Sequence, residues 1–150
     1  MAAVAEKLPE NEGTLWPILS ADVRRVWPRV APLIEPHEHF AHGLLNTQDI
    51  YNCLVKGDMQ LWLAVKREQI DACLVTQIVN YPQKTVCRAV FVGGRGMEYW
   101  YPWMETVDNW ARENGCDEWE AWTHERLAKV LERKGWARQH IVMTRSIDHE

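Results

Sequence analysis

The sequence predicts an α/β fold whose mixed, twisted sheet begins as an antiparallel meander and continues into a parallel β-α-β unit. Three period-two apolar runs between residues 60 and 92 are joined by short polar links, the pattern of neighbouring antiparallel strands. The third run and a later strand-like run flank a helical pattern, and a strand–helix–strand crossover in one sheet is right-handed and makes its strands parallel. Two helical patterns precede the meander.

Residues 1–14 read as a loose tail. Ser20 reads as the N-cap of a first helix, with Val23, Val26, Trp27, Val30 and Ile34 at helical spacing. Pro28 and Pro32 predict a kink or two short pieces. After the polar stretch EPHEHFAHG (Glu35 to Gly43), Thr47 can cap a second helix carrying Ile50, Tyr51 and Leu54, with Gly57 as its stop. Strands are expected at Gln60–Val65, Gln69–Asn80 and Thr85–Val92, the second with Ile70, Ala72, Leu74, Thr76 and Ile78 on one face. Pro102 suits the first turn of a helix lined by Trp103, Val107, Trp110 and Ala111 and ended by Gly115. Asp117–Thr123 reads as a short strand. Thr123 caps a helix bearing Leu127, Val130 and Leu131 that ends at Gly135, and Gln139–Arg145 reads as a closing strand.

The 150 residues suit a single domain large enough to bury a core. A formal charge of −4 argues against broad electrostatic binding to nucleic acid. Nine tryptophans indicate a well-filled core, with room for a lined groove or an apolar homodimer face. Cys53, Cys73, Cys87 and Cys116 show no metal spacing and read as reduced thiols of a cytoplasmic protein. The opening MAAVAEKLPENEG is short and acidic, unlike a secretory signal, and no apolar run approaches the ~20 residues that cross a bilayer.

VGGRGMEYW (Val92 to Trp100) stands where the meander meets the crossover helix. Its glycines suit either a tight turn or a backbone brought close to a ligand, and open α/β sheets place ligands where the sheet changes character. HEHFAH (His37 to His42) holds three histidines and Glu38, but the spacing supplies no convergent set with a fourth ligand, so no metal is expected. It reads as a solvated polar loop. Trp62 and Trp122 lie on the less apolar faces of their strands and are candidates for lining a groove.

From Ser20 to Arg145 this order resembles the GNAT acyltransferase fold. WARENGCDEWEAWT (Trp110 to Thr123) is similar to the end of that family's third helix and its fifth strand, and LAKVLERKGW (Leu127 to Trp136) to its penultimate helix. The chain also resembles small GNAT-like proteins encoded by phages, which implies the cytoplasm of an infected host. The resemblance implies acetyl-CoA, or another acyl-CoA, held by Phe91, Val92, Gly93, Gly94, Arg95, Gly96 and Met97, with the pyrophosphate on backbone amides. The family's loop has the form Arg/Gln-x-x-Gly-x-Gly/Ala. Gly93 and Glu98 depart from it, and Arg95 offers a charge contact instead.

The resemblance also implies a small-molecule or protein amine as acceptor, bound beside the polar loop. His124, at the edge of the fifth strand, is the candidate acid or base, with Asp71, on the second strand of the meander, as the alternative. The tyrosine that often protonates the leaving thiolate falls at Leu131, which has no proton to give. Two functions follow: an acyl-CoA-dependent N-acyltransferase, or a catalytically inactive GNAT-like binding or virion-associated module. Modification of a nucleic-acid base or a host protein is a third, because acceptors of this fold vary.

Overall fold

The computed structural model describes residues 14–148. The expected tail lies outside them except for Thr14, whose hydroxyl is 2.5 Å from that of Thr106. The elements are β1 (Leu15–Ile18), α1 (Ser20–Ile34), α2 (Thr47–Lys56), β2 (Gln60–Lys66), β3 (Gln69–Asn80), β4 (Thr85–Gly94), α3 (Met97–Trp100), α4 (Glu105–Glu113), β5 (Glu118–Ala121) and α5 (Glu125–Glu132). Short 3-10 segments follow α1 (Glu35–Ala41) and link α3 to α4 (Tyr101–Met104).

The strands form one sheet in sequence order, β1 to β5. The pairs β1–β2, β2–β3 and β3–β4 are antiparallel, and β4–β5 is parallel. The expected mixed sheet is therefore present, with two changes at its ends. A four-residue strand containing Pro17 adds to the β2 edge; a central strand would not accept proline, but an edge does. Gln139–Arg145 is not a strand. The chain leaves the domain after Trp136, Arg138 is held by Glu125 and Glu132 of α5, and the residues beyond it are exposed.

Helices cover both faces. Val23, Val26, Val30 and Ile34 of α1 and Ile50 and Leu54 of α2 pack with Leu61, Leu63, Val65, Cys73, Val75 and Phe91. On the opposite face Met97, Trp100, Met104, Val107 and Leu131 pack with Leu15, Trp62, Ala64, Ala72 and Leu74. Trp62 corrects the groove expectation. It is 2% exposed, its Nε1 donates to Thr76 Oγ1 at 3.0 Å, and its ring meets that of Trp110 edge-on. The less apolar face of β2 is a second core interior.

The helix boundaries also shift. α1 is one helix through Pro28 and Pro32, which sit four residues apart on its exposed side, so the missing N–H bonds face water. Its N-cap is Leu19 rather than Ser20. Asn46, not Thr47, caps α2 in a reciprocal capping box with Asp49. Gly57 ends α2 at φ 84°, as expected. The crossover helix starts at Met97, with Gly96 as its N-cap, rather than at Pro102. His124, not Thr123, caps α5.

Two bulges shape the sheet's far end. Ala64 pairs with Ala72 and Val65 with Ile70, which leaves Asp71 extra in β3. Ile70 therefore turns to the α1–α2 side, away from Ala72 and Leu74. Val75 pairs with Phe91 and Thr76 with Ala89, which leaves Val90 extra in β4. Such insertions bend the strand and increase its twist.

The loop glycines separate by role. A Cβ at Gly93 would strike the carbonyl oxygen of Leu33 at the end of α1. One at Gly94, which has φ +88°, would strike the Asp71 carbonyl. A Cβ at Gly96 meets nothing within 4 Å. Gly93→Ala and Gly94→Ala are each expected to destabilise the fold by about 1–3 kcal/mol through overpacking. Gly96→Ser keeps a good N-cap in open space and should stay within about 0.5 kcal/mol of the parent. Urea unfolding of the three variants makes this comparison.

Candidate functional site

Pairing between β4 and β5 stops at Ala89 and Ala121. Beyond that point Val90 to Gly94 of β4 have no partner in β5. The causes are local. The Val90 bulge turns β4, Gly93 seats its tip on α1, and β5 ends as the chain turns into α5. β4 thus runs on past its last pair with β5, and this unpaired region, the wedge, lies at the carboxyl ends of the parallel pair, where open α/β sheets place ligands.

One side of the wedge leads into the glycine loop. Phe91 is buried in the α1–α2 core, and Val92 is half-buried against the opposite cluster. Gly93 and Gly94 are committed to close contact with this chain's own backbone. The Arg95 N–H donates to the Asp71 carbonyl at 2.7 Å, and its guanidinium lies 3.7 Å from the centroid of the Tyr99 ring. Lys66 is 5.9 Å from the same centroid. Asp71 Oδ2 is buried without a hydrogen bond, and Arg95 Nη1 stands 3.8 Å away.

Gly96 and the N–H groups of Met97 and Glu98 open the helical run, while the Met97 side chain is buried. Helix geometry leaves such first N–H groups without intrahelical acceptors. Glu98, whose charge would repel a phosphate, is paired with Arg133 at 3.0 Å. Arg133 follows α5, and nothing in its spacing to Glu98 along the chain signals the contact.

The other side of the wedge is built at the end of β5. His124 Nδ1 accepts the Leu127 N–H at 3.3 Å, which caps α5. The His124 ring stacks on Phe40, with centroids 4.3 Å apart. The HEHFAH stretch, which follows α1, therefore reaches across to the chain that leaves β5. Burial lowers the His124 pKa below the usual histidine value, and Arg126, His37 and His39 lower it further. Glu38 accepts from the Thr47 hydroxyl and backbone N–H, which lower its pKa. Among the described residues no three His, Cys, Asp or Glu side chains are grouped to hold a metal ion.

Trp122 is 56% exposed, with the Arg88 guanidinium 4.8 Å from its ring centroid. Arg88 Nε donates to Glu120 Oε1 at 2.7 Å, and Tyr81 Oη donates to Glu120 Oε2 at 2.9 Å. Glu118 is paired with Lys84 at 2.7 Å. Tyr81, Arg88 and Glu120 thus form a polar network beside Trp122 that periodicity alone did not single out. Its signal was the Arg88–Glu120 pairing across the parallel strands, which becomes readable only with the register.

Leu131, the position that the resemblance gives to a tyrosine, is 4% exposed and packed in the core. Burial pushes the Cys73 and Cys87 thiols up to about 12, so neither supplies a reactive thiolate there. An open concavity of about 140 Å³ lies at the opposite end of β5, beside Asp108, Arg112, Cys116 and Trp119, away from the wedge.

Neither a protein-family model nor a curated relative matches the chain. Solved structures do. An aminoglycoside acetyltransferase from an uncultured soil metagenomic sample, solved with sisomicin, aligns over 90% of this chain and 96% of its own, with a TM-score of 0.67 at 10% identity. A ribosomal-protein-alanine N-acetyltransferase from Brucella melitensis biovar Abortus aligns over 89% and 99%, with a TM-score of 0.64 at 10% identity. A probable acetyltransferase aligns over 91% and 98%, with a TM-score of 0.64 at 13% identity. At these identities the likeness is one of architecture, and the architecture is that of the GNAT acetyltransferases.

Proposed function

We propose that this protein is an acyl-CoA-dependent N-acyltransferase that uses the wedge between β4 and β5. The observation that carries the reading is the end of β4–β5 pairing at Ala89 and Ala121, with β4 running on to a helix start flanked by cations. The donor set fits a diphosphate. Gly96 leaves open space, Met97 and Glu98 present helix-start N–H groups, and Arg95 adds a positive charge. Arg133 offsets the one carboxylate in the way. A bound acyl-CoA supplies the thioester carbonyl that an amine attacks. The acceptor, a small molecule or a protein amine, enters beside Trp122 and the Phe40–His124 stack.

His124 is the group at this mouth with a proton to move. Because Nδ1 accepts the Leu127 N–H, the neutral ring carries its hydrogen on Nε2. It can donate a hydrogen bond from Nε2 without disturbing α5, whereas taking a proton on Nδ1 breaks the cap. Hydrogen-bond donation toward developing negative charge is thus the role its geometry favours. A second reading, a GNAT-like binding module without catalysis, is favoured by Leu131 in the core at the tyrosine position.

Acetyl-CoA at about a hundredfold excess over Kd should stabilise the protein by about 2.7 kcal/mol, on the order of 5–10 °C in Tm. Gly96→Glu, which adds negative charge where a side chain fits, should remove the shift, and Gly96→Ser should keep it. No shift for the parent protein at millimolar acetyl-CoA overturns both readings as far as they involve this carrier. A shift without thiol release across a panel of amines selects the binding module.

His124→Asn retains an N-cap acceptor, so its stability should match the parent. Its thiol-release rate should nevertheless fall about tenfold to a hundredfold if His124 contacts the reacting atoms. Unchanged turnover removes His124 from the site.

The lowered pKa sets a sign for stability. The folded protein resists protonating His124, whereas the unfolded chain protonates near its ordinary value of 6.5. This contribution is present above about pH 6.5 and is lost as pH falls through the lower folded value. Melting temperatures of the parent should drop more steeply than those of His124→Asn as pH falls from 7 toward 5.

A further inference from the structure

Trp122 is the first residue beyond the last β4–β5 pair, and its ring is held in place. The Arg88 guanidinium lies 4.8 Å from the ring centroid. That guanidinium is itself fixed, with Nε donating to Glu120 at 2.7 Å and Nη2 to the Tyr81 hydroxyl at 3.0 Å. Trp122 is nevertheless 56% exposed. Phe40 adds a second aromatic surface beside His124, two residues further on, and is 42% exposed. A ring already fixed by its own chain loses little freedom when a flat partner stacks on it.

The charges nearby are arranged against an ammonium. Glu118 is paired with Lys84 and Glu120 with Arg88. Glu38 is occupied by Thr47, and Glu125, at the start of α5, by Arg138. None of these four carboxylates is free to hold a protonated amine. Arg126, His37 and His39 act on His124 from around it and disfavour positive charge there.

We infer that the acceptor is an aromatic amine, with its nitrogen bonded directly to a flat ring that stacks on Trp122. The inference rests on the transferase reading proposed above and narrows its acceptor. Such an amine shares its lone pair with its ring and is neutral near pH 7, so it needs neither a carboxylate to hold it nor a base before attack. Its nitrogen bonds to the thioester carbonyl carbon as the carbon–sulfur bond breaks. Sulfur keeps the bonding pair, and one N–H proton passes to water. The products are an anilide and, once sulfur has taken a proton from water, a free thiol.

Thiol release from acetyl-CoA near neutral pH tests this with three amines: para-methoxyaniline, which is flat and neutral; trifluoroethylamine, which is neutral but not aromatic; and benzylamine, which is aromatic but protonated. The kcat/KM for para-methoxyaniline should exceed that of either other amine at least tenfold. Trp122→Ala should raise the KM for para-methoxyaniline by about tenfold to a hundredfold, the loss of one aromatic stack, and Trp122→Phe should recover most of it. Both variants alter an exposed side chain, so their circular dichroism spectra and their Tm rise with acetyl-CoA should match the parent. With CoA bound, para-methoxyaniline should also shift the Trp122 indole N–H resonance, identified by its absence in Trp122→Phe. Equal or better turnover of trifluoroethylamine or benzylamine overturns the inference and leaves the transferase reading standing. An unchanged KM in Trp122→Ala, an unmoved Trp122 resonance, or thiol release only with non-aromatic amines does the same. No thiol release with any amine removes the transferase reading and this inference with it.

Discussion

The fold's functional geometry depends on one backbone contact: the tip of β4 lies against the carbonyl oxygen of Leu33 with no Cβ between them. A side chain at Gly93 would push β4 off α1. The adjacent Gly94 then passes the Asp71 carbonyl at a positive φ, and the Arg95 N–H closes on that same oxygen. The two bulges, Asp71 in β3 and Val90 in β4, give the strands the bend these contacts need. β4 runs on toward α1 past Ala89, whereas β5 ends at Ala121, so the parallel pair has four matched residues. The glycine-rich stretch thus has two jobs. Its first two glycines set the direction of the strand, and only the last leaves room for something outside the chain.

The meander, the crossover and the parallel pair were legible because each rests on local signals: alternation, short polar links, and a helix between two strands. Misplaced boundaries came from competition among neighbouring polar residues. Asn46 and Thr47, or Thr123 and His124, can each cap a helix, and backbone direction decides which one does. Trp62 was misread because alternation says which residues share a face and not whether a second layer covers it. The α3–α4 run closes over that face, and Thr76 satisfies the indole. Ile70 was assigned to the wrong face because a bulge shifts the phase without marking the composition. The 139–145 stretch has a strand's composition, but a strand exists only where a partner meets it.

The junction of the meander with the crossover helix could be located from sequence, whereas the electrostatics around it could not. Arg133 lies far from Glu98 in the chain, and Phe40 far from His124, so neither contact has a periodic signature. Both arise because α5 and the segment after α1 meet the sheet at the same end. The result is a chain of net charge −4 that places Arg95 and Arg133 beside a helix start. An exposed ion pair such as Glu98–Arg133 contributes little to stability, at most about 1 kcal/mol. Its consequence lies in the field at the helix start, where an unpaired carboxylate would oppose the helix's own attraction for anions.

Leu131 and His124 constrain the chemistry from opposite sides. With leucine in the core where a tyrosine would reach the thiolate, proton transfer in the proposed reaction falls to groups at the end of β5 or to water. The hydrogen bond from Leu127 holds His124 with its donor on Nε2, and the lowered pKa keeps the ring neutral near pH 7. A neutral donor stabilises negative charge on the carbonyl oxygen but does not deliver a full proton to sulfur. A thiolate leaving a thioester is a weak base and can depart without one, so an acceptor amine that is already neutral meets the least demand. In the proposed reaction that requirement would favour acceptors of low basicity, or amines whose proton is lost to solvent before attack.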